Sequence, residues 1–372
     1  MSLMIPAGPA HARSLTGVLP DVVAALTGGE SALRPASSAV VFVVDGLGAL
    51  QLRANAGHAR FLAPLMGRKD VARSVFPSTT AAALTSLLTG EWPGRHGLVG
   101  YSVLDASRGV VVNQLSGWEK EGIDPETWQR VPTVFERHPS VRSFAVGLPA
   151  YEGSGFTRAI LRGADYISAG TPAERVSTAL DLAARPGALV YCYMPELDKA
   201  GHKHGVASEE WVAALEAVDA AIGAARLSPG VGAVVTADHG MIDVARHRHV
   251  LLSDGDERLN GVAHLGGEPR LLHVYLEEGE DVDAAAVRWE AASGATADVA
   301  TRRAAVAGGV FGPAVDDEVL PRIGDLLVAA RGAWAFYDDR LKDKRAQLMV
   351  GQHGSTTPEE TVVPLVRLGA FA

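Results

Sequence analysis

The sequence predicts an α/β fold, in which a mostly parallel central sheet lies between two layers of helices. Short, nearly continuous apolar runs, typical of strands buried on both faces, alternate along the chain with longer Ala- and Leu-rich amphipathic runs, typical of helices. The chain has 372 residues, of which 47% are hydrophobic, so it can form a large core. These observations together favour a three-layer α/β/α sandwich.

The individual elements follow from the apolar runs and the residues that bound them. Strands are predicted at residues 38–44 (SAVVFVV), 143–147, 188–194 and 232–237. Helices are predicted at residues 80–89, 172–184 and 209–226, the first of them closed by Gly90.

A different pattern occupies residues 246–341. Strand-like pieces such as 270–276 mix there with helical ones such as 282–292. We therefore predict a single catalytic domain over residues 1–372, with a small α+β subdomain inserted at 246–341.

Composition excludes several classes of function. A net charge of −9 repels nucleic-acid backbones, and it requires any phosphate site to supply local positive charge, which metal ions would do. The single cysteine, Cys192, excludes an internal disulfide and a Cys-rich zinc site. No signal-like start and no run of ~18 apolar residues is present, so we expect a cytoplasmic protein without a membrane segment. The oligomeric state is not predicted.

Two clusters in the N-terminal third combine an acid with hydroxyls. Asp45 directly follows the strand at 38–44, at the kind of strand end where open α/β sheets bind ligands, although a simple Asp-Gly turn explains it better alone. Ser78, Thr79 and Thr80 begin the next predicted helix. A hydroxyl there either caps the helix or acts as a nucleophile, because free N–H groups and the helix dipole stabilise an alkoxide.

Two further clusters follow strands in the second half of the chain. Asp198 and His202 are four residues apart, so one turn of a helix would place them on the same side; Gly201 weakens a regular helix, and a tight loop would serve equally well. Asp238 and His239 are adjacent at a strand end, where the following glycine permits a sharp turn. For each cluster a metal site and a plain polar turn are equally good readings.

The clusters are more specific together than alone. His353, isolated near the C-terminus, indicates nothing by itself. Asp and His ligands without Cys suit a catalytic zinc site better than a structural one. Two ions ~3.5–4 Å apart hold both the attacking and the leaving oxygen of a displacement at phosphorus. The sequence therefore predicts a two-metal phosphohydrolase with a threonine nucleophile.

The order of the motifs resembles the alkaline phosphatase superfamily, and within it the nucleotide pyrophosphatase/phosphodiesterase branch. The motifs are the strand ending at Asp45, FPSTT before TSLLTG, ELDKAGHKHG, TADHGM, and HGS followed by TPEE. They extend from about residue 38 to residue 366. The resemblance implies an alkaline-phosphatase-like fold and an enzyme that hydrolyses phosphoric ester or pyrophosphate bonds.

The resemblance also implies a role for each matched residue. One metal site is implied to consist of Asp198, His202 and His353. The other is implied to consist of Asp45, Thr80, Asp238 and His239. The F-P-T-x-T form of the family motif places the nucleophile at Thr80 rather than at Ser78 or Thr79. Two zinc ions are expected, with Mn²⁺ or Fe²⁺ as alternatives.

One position departs from the family pattern. Many members carry an asparagine three residues after the nucleophile, where it grips the phosphoryl oxygens, and this chain has Ala83 there. Asn113, Lys120 and Tyr101 are the replacements that the sequence offers. Tyr151 is a candidate for stacking on a nucleobase or aryl group, with packing as the other interpretation.

The leading hypothesis is hydrolysis of phosphodiesters or nucleotide pyrophosphates through a covalent phospho-threonine intermediate. The alternatives are a phosphomonoesterase or phosphonate hydrolase on the same metals, and a metal-binding protein without activity. Cys192 lacks the C-x-P-x-R context of the usual sulfatases, and the chain is too short for the inserted domain of a cofactor-independent phosphoglycerate mutase. The expected substrate is a small phosphate ester or nucleotide.

Overall fold

The computed structural model describes residues 13–372 and confirms the predicted fold class. Residues 1–12, which belong to the predicted catalytic domain, lie outside the described part of the chain. The strands, in chain order β1 to β17, are Ser38–Val44, Val71–Arg73, Ser102–Asp105, Val110–Asn113, Arg142–Gly147, Asp165–Ser168, Ala188–Met194, Val231–Thr236, Ile242–Asp243, His249–Leu252, Val262–Glu268, Leu271–Leu276, Ala297–Thr301, Leu326–Ala330, Ala335–Asp338, Gly351–Gln352 and Val362–Gly369.

Helices connect most of these strands. The α-helices, in chain order α1 to α14, are Val18–Thr27, Ala49–Ala54, Leu62–Leu65, Thr80–Thr89, Pro93–His96, Pro125–Trp128, Val134–Arg137, Gly155–Ile160, Pro172–Ala183, Glu196–His204, Glu209–Gly223, Val282–Ser293, Arg302–Ala307 and Pro358–Thr361. Helix α11 ends three residues before its predicted end, because the Arg226 guanidinium donates to the carbonyls of residues 223, 224 and 225 and closes the last turn there.

The central sheet has the strand order β2-β17-β8-β1-β7-β5-β6. From β8 to β6 all neighbours are parallel, whereas β17 runs antiparallel to both β8 and β2. Every residue of β1 and β8 is buried, which requires cover on both faces of the sheet. The carboxyl ends of β8, β1 and β7 therefore lie side by side at one edge.

A second, antiparallel sheet with the order β11-β12-β14-β13 lies within the predicted insertion. One face packs on helix α12 around the fully buried Trp289. The other face packs on Val99 and Val103 from the first third of the chain. Its division from the rest as a subdomain stays a prediction. Among residues 13–372, no helix is both long and apolar enough to cross a membrane.

Candidate active site and metal centre

The sheet topology brings three of the acidic clusters together. Asp45 directly follows β1, helix α10 with Asp198 follows β7, and Asp238 follows β8. These strands are immediate neighbours in the order β8-β1-β7, and their parallel direction puts all three carboxyl ends at the same edge. The backbone N–H of Asp198 donates to the carbonyl of Asp45 at 3.1 Å, which fixes α10 against the end of β1.

Asp198 and His202 lie on a regular helix, not on a tight loop. Helix α10 runs through Gly201, which does not break it. A Cβ atom at this position would lie 2.4 Å from the sulfur of Met241, so the glycine permits close packing of the helix against the β8 end. The four-residue spacing then places the Nε2 atom of His202 3.3 Å from Oδ1 of Asp198.

The three adjacent hydroxyls at the start of α4 have different surroundings. The Ser78 hydroxyl donates to the carbonyl of Ser355 at 2.7 Å, and the buried hydroxyl of Thr79 has no hydrogen-bond partner in residues 13–372. The hydroxyl of Thr80 lies 3.1 Å from Nε2 of His239. Thr80 is also the residue of the three that lines the large cavity beside the strand ends. The helix N-terminus behind it favours negative charge at this place.

The three histidines all present the same ring nitrogen to the site. Their Nδ1 atoms lie at hydrogen-bond distance from backbone carbonyls: 2.8 Å from Gly351 for His202, 3.0 Å from Gly240 for His239 and 3.1 Å from Ser78 for His353. Because a carbonyl oxygen only accepts, each Nδ1 carries the proton and each Nε2 keeps its lone pair. This tautomer is the one that binds a metal through Nε2.

Several of these lone pairs face each other at short distance. The Nε2 atoms of His202 and His353 are 3.2 Å apart, and Nε2 of His353 is 3.8 Å from Oδ1 of Asp198. On the other side, Nε2 of His239 is 3.5 Å from Oδ1 of Asp45 and 3.4 Å from Oδ2 of Asp238. So many acceptors at this separation repel one another unless a cation lies among them.

The carboxylates of the site also indicate that a cation binds there. Asp45 Oδ1, Asp198 Oδ1 and Asp238 Oδ2 are buried without a hydrogen-bond partner in the described part of the chain. Burial raises the pKa of Asp45 well above its usual value, and the charges of Asp238 and Asp198 raise it further. Burial also raises the pKa of Asp238, although the neighbouring His239 partly offsets this rise. The donor set therefore fits divalent metal ions, which would neutralise this charge.

Imidazole protonation is disfavoured at the same place. Burial lowers the pKa of His353 well below its usual value, and the neighbouring His239 and His202 lower it further. The rings of His239 and His353 are stacked with their centroids 3.7 Å apart. A neutral His353 with a free Nε2 lone pair is thus the form that the fold stabilises, which is the form a metal requires.

The ligand atoms form two overlapping groups. Oxygen and nitrogen atoms of Asp45, Asp238 and His239 all lie within 4.8 Å of one another, as do those of Asp198, His239 and His353. His239 belongs to both groups, whereas the family resemblance gives it to one metal only and gives His202 to the other. His202 nevertheless lies beside Asp198 and His353 at the distances given above. The structure therefore brings all the predicted ligand residues together.

Of the three predicted substrate contacts, one lies in the cavity beside Thr80. Tyr151 lines this cavity. Asn113 does not line it, because its Oδ1 accepts from the backbone N–H groups of Leu115 and Ser116 in a turn. Tyr101 is 38% exposed and does not line it either.

Neither Ala83, at the position of the missing asparagine, nor Lys120, its proposed replacement, lines the cavity. Ala83 is buried in the core, while the next residue of α4, Leu84, lines the cavity. Lys120 is exposed and pairs with Glu121 at 3.2 Å.

Burial raises the pKa of Cys192 to about 12, so this thiol stays protonated and inert.

Two residues at the site were not predicted from the sequence. The hydroxyl of Tyr193 donates to Oδ2 of Asp45, which leaves Oδ1 of that carboxylate free for a metal. Lys199 lines the cavity with its ammonium group 5.2 Å from the centre of the Tyr151 ring. The i, i+2 spacing of Tyr191 and Tyr193 in β7 signals that both rings lie on one face of the sheet.

Comparison with known proteins begins with sequence families. The family described as "Type I phosphodiesterase / nucleotide pyrophosphatase" matches residues 39–356. Ectonucleotide pyrophosphatase/phosphodiesterase family member 3 is 28% identical over 218 residues in Rattus norvegicus and 26% identical over 216 residues in Mus musculus. An uncharacterized pyrophosphatase/phosphodiesterase of Schizosaccharomyces pombe is 28% identical over 210 residues.

These alignments cover only part of each protein. They include 54% of this chain for the two mammalian proteins and 52% for the yeast protein. They include 24% of each mammalian protein and 42% of the yeast protein. The match thus spans less than half the length of these relatives.

Solved structures share the fold over most of the chain. Murine ectonucleotide pyrophosphatase/phosphodiesterase 5 superposes with a TM-score of 0.68 at 18% identity, over 89% of this chain and 88% of that one. An inactive variant of that murine protein, in complex with AMP, gives a TM-score of 0.65 at the same coverage. Phosphonoacetate hydrolase of Sinorhizobium meliloti, in complex with phosphonoformate, gives 0.66 at 18% identity, over 90% and 91% of the two chains.

Proposed function

This chain belongs to the type I phosphodiesterase/nucleotide pyrophosphatase family, and from that premise we propose that it hydrolyses phosphodiesters or nucleotide pyrophosphates with Thr80 as the nucleophile. The observation that carries the proposal is the position of the Thr80 hydroxyl. It lies at a helix N-terminus, 3.1 Å from His239 Nε2, beside two groups of carboxylate and imidazole ligand atoms. A hydroxyl in such surroundings is activated for attack on phosphorus.

Two divalent metal ions would complete the site. Asp198, His202 and His353 would hold one of them. Asp45, Thr80, Asp238 and His239 would hold the other. When bound, the ions supply positive charge that lowers the pKa of the hydroxyl and offsets charge on the phosphoryl oxygens. The Asp/His set suits zinc, and Mn²⁺ and Fe²⁺ use the same ligand types.

The residues of the chain then act in two steps. In the first, the Oγ1 atom of Thr80 loses its proton to solvent and forms a bond to phosphorus, and the bond from phosphorus to the leaving oxygen breaks, so that this oxygen departs with the electron pair and takes a proton from solvent. The free N–H groups at the start of α4 donate to the phosphoryl oxygens. In the second step, a water oxygen bonds to phosphorus, and Thr80 leaves and regains a proton. The product is the phosphoryl component of the substrate, which now carries one hydroxyl from the water.

Comparison with the relatives supports this reaction class. The relatives carry pyrophosphatase/phosphodiesterase names, and the murine variant described above is in complex with AMP. A small phosphate ester or nucleotide is accordingly the proposed substrate. The phosphonoacetate hydrolase neighbour shares the fold at 18% identity, and phosphomonoester or phosphonate hydrolysis on the same residues is the alternative to be distinguished by experiment.

The experiment compares substrates and variants under one set of conditions. The zinc-loaded protein is assayed with bis-4-nitrophenyl phosphate, 4-nitrophenyl phosphate and phosphonoacetate, before and after chelation. We expect the diester to have the highest kcat/KM and chelation to abolish turnover. Thr80→Ala should reduce kcat by roughly 10³-fold or more, while Thr80→Ser retains the hydroxyl and much of the rate.

Metal content, measured on each variant by mass spectrometry, separates loss of the nucleophile from loss of the ions. If Thr80→Ala retains its zinc and turns over the diester at the wild-type rate, Thr80 is not the nucleophile. If the monoester or phosphonoacetate is the better substrate, the alternative activity replaces the diesterase. If none of the three and no nucleotide pyrophosphate is hydrolysed, the metal-binding protein without activity is the remaining hypothesis.

A further inference from the structure

The cavity beside Thr80 is larger than a phosphoryl group requires. Its volume is about 460 Å³, within the range of pockets that bind small organic molecules. Asp45, Thr80 and Asp198 line its metal-site end. Tyr191 and Tyr193, whose rings are stacked with their centroids 6.2 Å apart, line it beside these carboxylates.

The inner wall of this cavity is apolar. It consists of the buried or nearly buried side chains of Leu84, Val146, Ile160 and Leu161, with Phe156 beside them. Leu84 comes from α4, Val146 from β5, and Ile160 from α8, so elements from three parts of the fold converge on one apolar surface. Such a surface binds groups by excluding water from them and by dispersion contacts.

Three hydroxyl groups on the wall already donate their protons within the protein. The hydroxyl of Tyr166 donates to the carbonyl of Leu148 at 2.8 Å, and the hydroxyl of Tyr193 donates to Asp45. The Thr157 hydroxyl donates to the carbonyl of Tyr151 at 2.7 Å. These three hydroxyls have no proton left to donate, so a ligand acceptor that faces them would be unpaired, which weakens binding.

Charge in the cavity lies at the metal site and at Glu119 and Lys199. The charged residues that line it are Asp45, Glu119, Asp198 and Lys199. Lys199 lies over the ring of Tyr151, whose centroid is 6.0 Å from that of Tyr193. This pair of rings adds apolar surface beside the metal-site end of the cavity, where Tyr193 bonds to Asp45. A second charged group on the substrate would find no partner on the apolar wall. Burial of such an unpaired charge is unfavourable.

We propose that this cavity selects phosphoric esters in which one alcohol component is an uncharged apolar group, alkyl or aryl, that stays on phosphorus while Thr80 displaces the other. The proposal rests on the proposed function and names its substrate class. The phosphoryl group lies between Thr80 and the metal-ligand residues, and the apolar group extends past Tyr193 to Ile160. A nucleoside fits this surface less well, because its ribose hydroxyls and base edge need hydrogen-bond partners.

A homologous series of diesters tests the proposal. The substrates are alkyl 4-nitrophenyl phosphates from methyl to hexyl, together with thymidine 5′-monophosphate 4-nitrophenyl ester. In each case Thr80 displaces 4-nitrophenolate, and water then releases the alkyl or thymidine phosphate. We expect kcat/KM to rise by about fourfold per methylene, the factor that burial of one CH₂ group produces, until the cavity is filled. The kcat/KM of the hexyl ester should exceed that of the thymidine ester.

Variants locate the effect in the cavity. Ile160→Phe places a larger side chain in the inner wall and should lower the ratio of hexyl to methyl kcat/KM by at least tenfold. Ala150→Trp, at the exposed rim, blocks the same cavity without disturbing the core, in case Ile160→Phe does not fold. Val306→Phe is the matched control, because it enlarges a side chain in a separate cavity on the second sheet and should leave the ratio unchanged.

A binding measurement keeps the test independent of turnover. Alkylphosphonates from methyl to hexyl are titrated calorimetrically into the zinc-loaded Thr80→Ala variant, and affinity should increase with chain length. If diesters are hydrolysed but neither rate nor affinity depends on chain length, the apolar substrate class is wrong and the phosphodiesterase stands. A preference for the thymidine ester overturns it in the same way. If affinity increases with length but no ester is hydrolysed, the proposed function fails and the cavity assignment stands.

Discussion

The Nε2 atoms of His202 and His353 lie 3.2 Å apart, although 151 residues separate them in the chain. Each ring donates its Nδ1 proton to a backbone carbonyl, so the two lone pairs point at each other. A cation between them turns this repulsion into two coordinate bonds. The pair therefore connects metal binding to the stability of the fold.

We expect metal removal to destabilise the protein. At a zinc concentration of 100 times the dissociation constant, the free energy of unfolding should rise by about 2.7 kcal/mol over the chelated protein. Thermal unfolding with and without zinc measures the difference. His353→Ala should lose most of this gain. His204→Ala should retain it, because His204 faces Glu210 at 3.3 Å instead of the site. Equal gains in the two variants would contradict the role of His353.

Tyr193→Phe should weaken metal binding without unfolding the protein. The change leaves Oδ2 of Asp45 without its hydrogen-bond donor, and loss of such outer partners lowers metal affinity by roughly 10- to 100-fold. Zinc competition with a chromophoric chelator measures the affinity. Tyr191→Phe is the control, since its hydroxyl bonds to no group within residues 13–372. The role assigned to Tyr193 is wrong if both variants bind zinc equally well.

The Arg270–Glu360 ion pair should contribute strongly to stability. Both side chains are fully buried, and the guanidinium donates to both carboxylate oxygens, at 3.0 and 2.7 Å. Glu360 also accepts from the backbone N–H of Ser355 at 3.0 Å, close to His353 in the chain. Glu360→Gln should lower the free energy of unfolding by about 3–5 kcal/mol, because it leaves a buried charge unpaired.

Urea unfolding measures this change, with an exposed pair as the control. Asp343 pairs with Arg345 on the surface, and solvent screens that interaction. Asp343→Asn should leave the urea midpoint unchanged. A midpoint for Glu360→Gln that also equals the wild-type value would show that the buried pair is dispensable.

Two buried histidines should make the metal-free protein acid-sensitive. His96 and His273 each accept a backbone N–H on Nδ1, at 3.1 Å from Leu98 and Gly324. Burial, together with a neighbouring arginine, lowers the pKa of each to about 3. Below pH 6.5 the unfolded chain binds protons that the folded protein does not, so stability falls as pH falls towards 3.

The size of this effect follows from the two pKa values of each histidine. At pH 5 each should have lost about 2 kcal/mol of stability relative to pH 7. Urea unfolding of the chelated protein at the two pH values measures the loss. His96→Gln keeps an acceptor for Leu98 and should reduce the loss by about half of the combined effect. An unchanged pH dependence in this variant would show that His96 does not contribute.

The sequence alone determined the elements and the residue types of the site. Continuous apolar runs defined β1, β7 and β8, because strands buried on both faces exclude polar residues. The carboxylates after these runs then had to lie at strand ends. The helix at 80–89 also follows from local sequence, because an Ala- and Leu-rich run is closed by Gly90, which takes the left-handed conformation at the helix end.

Only the tertiary structure decided which of these residues meet. The order β8-β1-β7 places ends together that are up to 193 residues apart, and sequence periodicity carries no information about that order. The same holds for His353, whose neighbours come from α10 and the start of α4. For the same reason, the sequence could not show that Asn113 and Tyr101 lie outside the substrate cavity, or that Tyr193 lies at the site. Side-chain direction depends on how distant elements pack, and packing is a property of the whole fold.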